Sequence, residues 1–107
     1  MHFEQLRAKP EFEKENIMEE KFLLALEEAR KKAELAGVRI RPIADMAAAK
    51  RCLSGHRVSD GFYQLADKNL LSLSLEALAV NKQFTALFTD EEANNALTRL
   101  LEAGYTF

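Results

Sequence analysis

The side chains best suited to chemistry in this sequence are basic groups crowded into its middle. Residues 38–57 contain five Lys or Arg and one Asp, a local balance of +4, whereas the whole chain carries a formal net charge of −2. Basic side chains that share a surface can hold the phosphates of a nucleic acid. The candidate set is Arg39, Arg41, Lys50, Arg51, His56 and Arg57. The alternative is that these charges pair with the acidic flanks, as surface charges commonly do.

Groups that could support catalysis or bind a metal are few and scattered. His2 and His56 are the two histidines of the chain, and neither has a clear carboxylate companion for acid–base catalysis. Cys52 is the single cysteine and has alanines and Leu53 as near neighbours, which predicts a buried, inert thiol. Phosphate-loop, dinucleotide and zinc motifs are absent. The sequence therefore predicts no enzyme, no metal, no cofactor and no small-molecule ligand.

Length and composition predict one folded domain. The chain has 107 residues, of which 48% are hydrophobic and 30% charged, enough for one core. No apolar run is long enough to cross a membrane, and the N-terminus lacks the apolar stretch of a signal peptide. We expect a cytoplasmic protein with no membrane contact. Residues 1–15 are charged and interrupted by Pro10, which predicts an arm or a short irregular helix, and residues 16–107 read as a single helical domain.

The C-terminal stretch has the clearest helix pattern. Thr89 and Glu92 have the spacing of a capping box, in which each side chain bonds the backbone of the other residue. Gly104 suits the left-handed position after a helix, and Tyr105 would then contact Leu100 in a Schellman motif. These signals predict a helix from about Asp90 to about Glu102.

A longer helix is predicted between Asn16, as its N-cap, and Gly37, as its stop. Its apolar surface is wider than one stripe near the middle, which indicates contact with a partner protein or with a second copy of the chain. The candidate interaction residues are Phe22, Leu23, Leu24 and Leu26.

Between these helices the pattern changes repeatedly. Val38 and Ile40 alternate with arginines before a proline, which predicts a short edge strand. An alanine-rich helix over 43–53 and a second helix from Val58 follow. The alternating run over 71–75 can be a short strand, or Ser74 can cap a helix that begins at Leu75. We favour a brief extended segment that passes into that helix. Tyr105 with Phe107 could add a third short strand. The expected fold is mainly α, with four to five helices and at most two or three short strands.

The stretch from Ala47 to Leu71 resembles the helix-turn-helix core of winged-helix proteins, through its helix spacing, its turn and the exit into LL. The resemblance implies that residues 58–68 form a recognition helix in a major groove of DNA. Asp60 and Asp67 on that helix depart from the family pattern, because phosphates would repel them. No basic wing follows Leu75.

Two further interpretations concern organisation and function. Shifting the chain by 35 residues places Leu53 on Phe88 and Leu65 on Leu100, which suggests a two-unit repeat over 43–71 and 78–107. Coincident helix spacing explains the match equally well. The function we expect is a protein-interaction or adaptor module without catalytic activity, and the alternative is a winged-helix-like DNA-binding regulator.

Overall fold

The computed structural model describes the backbone of residues 11–106 and the side chains of residues 17–106. This part of the chain is mainly helical and contains no strand, so the predicted helical class is confirmed. Its five α-helices are α1 (Glu11–Leu35), α2 (Met46–Ser54), α3 (Phe62–Asp67), α4 (Leu75–Ala79) and α5 (Asp90–Glu102). Two 3₁₀ turns, Leu71–Leu73 and Thr85–Leu87, flank α4.

Helix α1 is longer than its sequence pattern predicts. It begins at Glu11, so the prediction that Asn16 caps it is wrong, since that residue lies inside the helix. Its end is as predicted. Gly37 has a φ of +93°, and the Val38 N–H donates to the Ala33 carbonyl at 2.9 Å, which is the closing bond of a Schellman motif. Residues 1–10 of the predicted arm lie outside the described residues. Its residues 11–15 form the first turns of α1.

Helix α5 confirms the prediction made from its two ends. The Thr89 hydroxyl accepts from the Glu92 N–H at 3.1 Å, and the Glu92 carboxylate accepts from the Thr89 N–H at 2.9 Å. At the other end Gly104 has a φ of +83°, and the Tyr105 N–H donates to the Leu100 carbonyl at 2.9 Å. Local side-chain and backbone bonds therefore set both boundaries.

The short helices differ more from expectation. Helix α2 is capped by Asp45, whose carboxylate accepts from the Ala48 N–H at 2.9 Å. Helix α3 covers only the second half of the predicted helix from Val58 to Lys68, because Gly61 precedes it with a left-handed φ of +77°. Ser74 caps α4 as predicted. The segment before it is a 3₁₀ turn, so the prediction of an extended segment there is wrong.

The predicted strand at Val38–Ile40 does not form. Residues 38–44 run as an irregular segment, and the Arg41 N–H donates to the Asp60 carboxylate at 2.7 Å instead of to a neighbouring strand. Pro42 has no N–H to offer. Tyr105 belongs to the Schellman motif rather than to a strand, and Phe107 lies outside the described residues.

The core joins the helices through two apolar clusters. In the first, the Phe22 ring of α1 meets the rings of Phe84 and Phe88 edge-on, with both centroid distances 5.2 Å. In the second, α5 contributes Leu100 and α3 contributes Phe62. Helix α5 packs on both α2 and α4, which places the loop between α2 and α3 beside α5.

Candidate functional site

An open apolar groove lies between α1, the segment 38–44 and α2. Its volume is about 460 Å³, within the range of roughly 300–1,000 Å³ that is typical of binding pockets. The floor includes Leu26 and Leu75, which are otherwise buried in the core. Other apolar residues that line it are Leu23, Ile40, Pro42, Ile43, Ala44, Ala48 and Leu73. We call this feature the apolar groove.

Charged groups stand at the edges of the apolar groove. The Arg30 guanidinium donates from Nε to the Glu27 Oε1 at 2.9 Å, with a second bond from its Nη2. This pairing holds the pKa of Glu27 below its usual value, chiefly through the hydrogen bond. Arg41 and Asp60 also border the groove. Because Arg30 and Glu27 neutralise each other, they leave this end of the groove without net charge.

A second groove, of about 410 Å³, lies around the loop that follows α2. Its charged and polar walls include Arg51, His56 and Arg57, and we call it the basic groove. Cys52, Ser59 and Asp60 line both grooves, so the two grooves share a wall. These three shared residues mark the junction between an apolar and a basic surface.

The prediction of a buried thiol at Cys52 is wrong, since the side chain is exposed. The core face of α2 carries Met46, Ala49 and Leu53, at the three- and four-residue spacing of a helix. Cys52 lies to one side of that face and turns toward the grooves.

The structure brings only part of the predicted basic set together. Arg51, His56 and Arg57 are exposed and line the basic groove, and Arg41 borders the apolar groove. Arg39 is exposed and Lys50 is half-buried, and neither lines a groove.

The predicted interaction set divides between core and surface. Phe22 and Leu26 are core residues, and their side chains pack around α4 and α2. Leu26 also lines the floor of the apolar groove. Leu23 is half-buried in a groove wall, and Leu24 is 62% exposed. The contact of these four residues with a partner stays a prediction.

A buried polar network holds the loop that forms the junction. Glu76 of α4 is fully buried, and its carboxylate accepts from the Ser59 N–H at 2.8 Å and from the Ser59 hydroxyl at 2.6 Å. Arg99 of α5 donates to the same carboxylate at 3.1 Å and to the Gly55 carbonyl at 2.7 Å. Asn95 donates to the Leu53 carbonyl at 2.9 Å. The loop is therefore fastened to α4 and α5 along its length.

The sequence reasoning missed Glu76 and Arg99. One signal was present, because Glu76 is the single charged residue in the apolar run LSLEALAV. A lone carboxylate in such a run indicates a buried group that needs a partner. Arg99 offers no comparable signal, since its neighbours read as an ordinary amphipathic helix.

Comparison with protein-family models, curated proteins and solved structures found no match for this chain. Among the described residues, no helix has the length and apolarity needed to cross a membrane. The same part of the chain brings no three His, Cys, Asp or Glu side chains into a cluster that could hold a metal ion.

Proposed function

We propose that this chain is a protein-interaction module without catalytic activity, and that it binds a linear segment of a partner protein in the apolar groove. The observation that carries the proposal is the open apolar groove itself. Apolar surface of this kind is costly to leave in water, and contiguous exposed apolar patches typically mark binding sites. Large apolar side chains of a partner would displace that water.

The wall formed by residues 38–44 supports a peptide as the occupant. Within the described part of the chain, Arg41 is the one residue of 39–44 whose backbone N–H has a protein acceptor. An extended peptide can pair with such open backbone groups while its side chains enter an adjacent pocket. The wall is itself anchored, because Asp60 holds the Arg41 N–H.

The test is selection from a displayed library of random linear peptides, followed by affinity measurement with synthetic copies of the selected sequences. We expect peptides with large apolar residues. Ala48→Trp, which fills the groove, should weaken binding at least about tenfold, or about 1.4 kcal/mol. Ala47→Trp is the matched control, since Ala47 is exposed on α2 and does not line the groove. Equal affinities of the two variants would refute the proposal.

A second candidate function, a winged-helix-like DNA-binding regulator, is favoured by one observation: Arg51, His56 and Arg57 line one groove. Binding of DNA by the predicted cations would then weaken steeply as the salt concentration rises. The slope of log K against log salt should not exceed about 4 to 5 in magnitude, at roughly 0.9 per neutralised phosphate. Replacing Lys50, Arg51 and Arg57 together by Ala should abolish it. Absence of retention on duplex DNA at about 50 mM salt would rule this candidate out.

A further inference from the structure

The apolar and basic grooves share a wall, formed by Cys52, Ser59 and Asp60. We infer that the partner segment is acidic as well as apolar: its apolar side chains occupy the apolar groove, and carboxylates next to them occupy the basic groove. This inference rests on the proposed function and specifies the chemistry of the partner.

The cations of the basic groove are available to a partner. Within the described residues, the ion pairs are Arg30 with Glu27 and Arg99 with Glu76. Arg51 and Arg57 are exposed and take part in neither pair. Two arginines outside these ion pairs therefore line one groove, and a guanidinium matches the two oxygens of a carboxylate in geometry as well as charge.

The backbone that carries these cations is held in place before any partner binds. Arg99 fixes the Gly55 carbonyl, and Glu76 fixes Ser59 by two hydrogen bonds. Arg57 lies between these two anchors. A pre-organised loop loses less conformational entropy on binding, which favours recognition of a specific pattern of charges over a loose attraction.

A segment of a partner protein can make favourable contacts with both the apolar and the basic groove, whereas a nucleic acid can do so only with the basic groove. Phosphates have no favourable interaction with the apolar groove, and Asp60 at the junction would repel a continuous phosphate backbone. A peptide can place apolar groups on one side of Asp60 and carboxylates beside Arg51 and Arg57. The basic groove stands out in a chain of net charge −2, so it would also orient an acidic segment during encounter.

The same peptide library tests this inference. We expect selected peptides to carry Asp or Glu next to their apolar residues, and replacement of those acids by Asn and Gln to weaken binding more than tenfold. Arg51→Glu combined with Arg57→Glu should weaken the acidic peptide to the same extent and leave its amide version unchanged. Lys82→Glu is the control, because Lys82 is exposed and lines neither groove.

The possible outcomes separate the inference from the proposed function. If acidic and amide peptides bind equally and Ala48→Trp weakens both, the groove binds peptides but the inference is wrong. If no peptide binds, or Ala48→Trp changes nothing, the proposed function fails and the inference fails with it. The inference would also be overturned if duplex DNA bound at Arg51 and Arg57 and acidic peptides did not.

Discussion

At the scale of single residues, Glu76 has the largest predicted effect on stability. Removing its carboxylate leaves the Arg99 side chain, only 9% exposed, without a counter-charge, and leaves Ser59 without an acceptor. Breaking a buried ion pair on one side costs about 3–5 kcal/mol. We therefore expect Glu76→Ala to lower the free energy of unfolding by that amount in urea denaturation.

The control for this measurement is Glu28→Ala, since Glu28 is an exposed carboxylate on α1. Exposed substitutions usually change stability by no more than about 0.5 kcal/mol. If both variants unfold at the same urea concentration, the network around Glu76 does not stabilise the fold.

Two glycines give a matched pair of predictions. Gly61 and Gly104 both have positive φ, of +77° and +83°. A Cβ at position 61 would lie 2.8 Å from Ile40 Cγ1, whereas one at position 104 would meet no atom within 4 Å. Gly104→Ala should therefore lower the free energy of unfolding by about 1 kcal/mol, because a residue with a Cβ is disfavoured in this backbone conformation. Gly61→Ala should lower the free energy of unfolding by about 1–3 kcal/mol more than Gly104→Ala, because the Ile40 side chain must move.

Thermal or urea unfolding of both glycine variants measures this difference. An equal loss of stability in the two variants would show that the segment 38–44 moves away from a Cβ at position 61 without cost. A larger loss at Gly104 would contradict the contact between Gly61 and Ile40.

At the scale of elements, the α5 N-terminus carries the sharpest prediction. Thr89→Ala removes the hydroxyl that accepts from the Glu92 N–H. Loss of an N-cap typically costs about 1 kcal/mol, so the unfolding midpoint should fall accordingly. Thr89→Ser keeps the hydroxyl and serves as the control. A midpoint unchanged by Thr89→Ala would show that water replaces the cap without cost.

Helix ends were predictable from the sequence where the signals are local. Thr89, Gly104, Gly37 and Ser74 each act on backbone groups a few residues away, and each has its predicted role. The prediction at Asn16 was wrong because asparagine is favoured as an N-cap but also occurs inside helices, and α1 begins five residues earlier. The start of α3 depends on Gly61, whose left-handed backbone lies against Ile40, a contact between residues far apart in sequence.

The candidate site was only partly predictable for the same reason. The basic residues of the loop after α2 were visible as a local run of charge. The apolar groove needs α1, the segment 38–44 and α2 at once, and no short window contains all three. Cys52 and Leu53 are adjacent in sequence, but Cys52 is exposed and lines both grooves, whereas Leu53 is buried in the core.

The two-unit repeat stays a prediction. The Leu65 and Leu100 carbonyls, 35 residues apart, each accept the closing bond of a Schellman motif, from Leu70 and Tyr105. The helices that these bonds close differ, however, with 6 residues in α3 and 13 in α5.

At the scale of the whole molecule, the outer side of α1 predicts weak self-association. Ile17, Leu24 and Leu35 are exposed, and their spacings of seven and eleven residues place them on one side of a helix. Charged residues interrupt this stripe, namely Lys21, Glu28 and Lys31. We expect dimers only at about 100 μM and above, a weak affinity on the usual scale.

Sedimentation of the wild-type chain and of Leu24→Glu checks this expectation. The variant should remain monomeric, while Ala47→Glu on α2 should behave as the wild type. A monomeric mass of the wild type at about 100 μM would contradict self-association along α1.

The Ser59 amide offers a spectroscopic view of the whole site. Its proton points at the Glu76 carboxylate, and the residue is only 8% exposed while lining both grooves. Isotope exchange of this proton with heavy water should accordingly be slow, because it requires the loop to open. In a nitrogen-resolved NMR spectrum, the Ser59 resonance would shift when a ligand occupied either groove, so one signal could report on the entire surface.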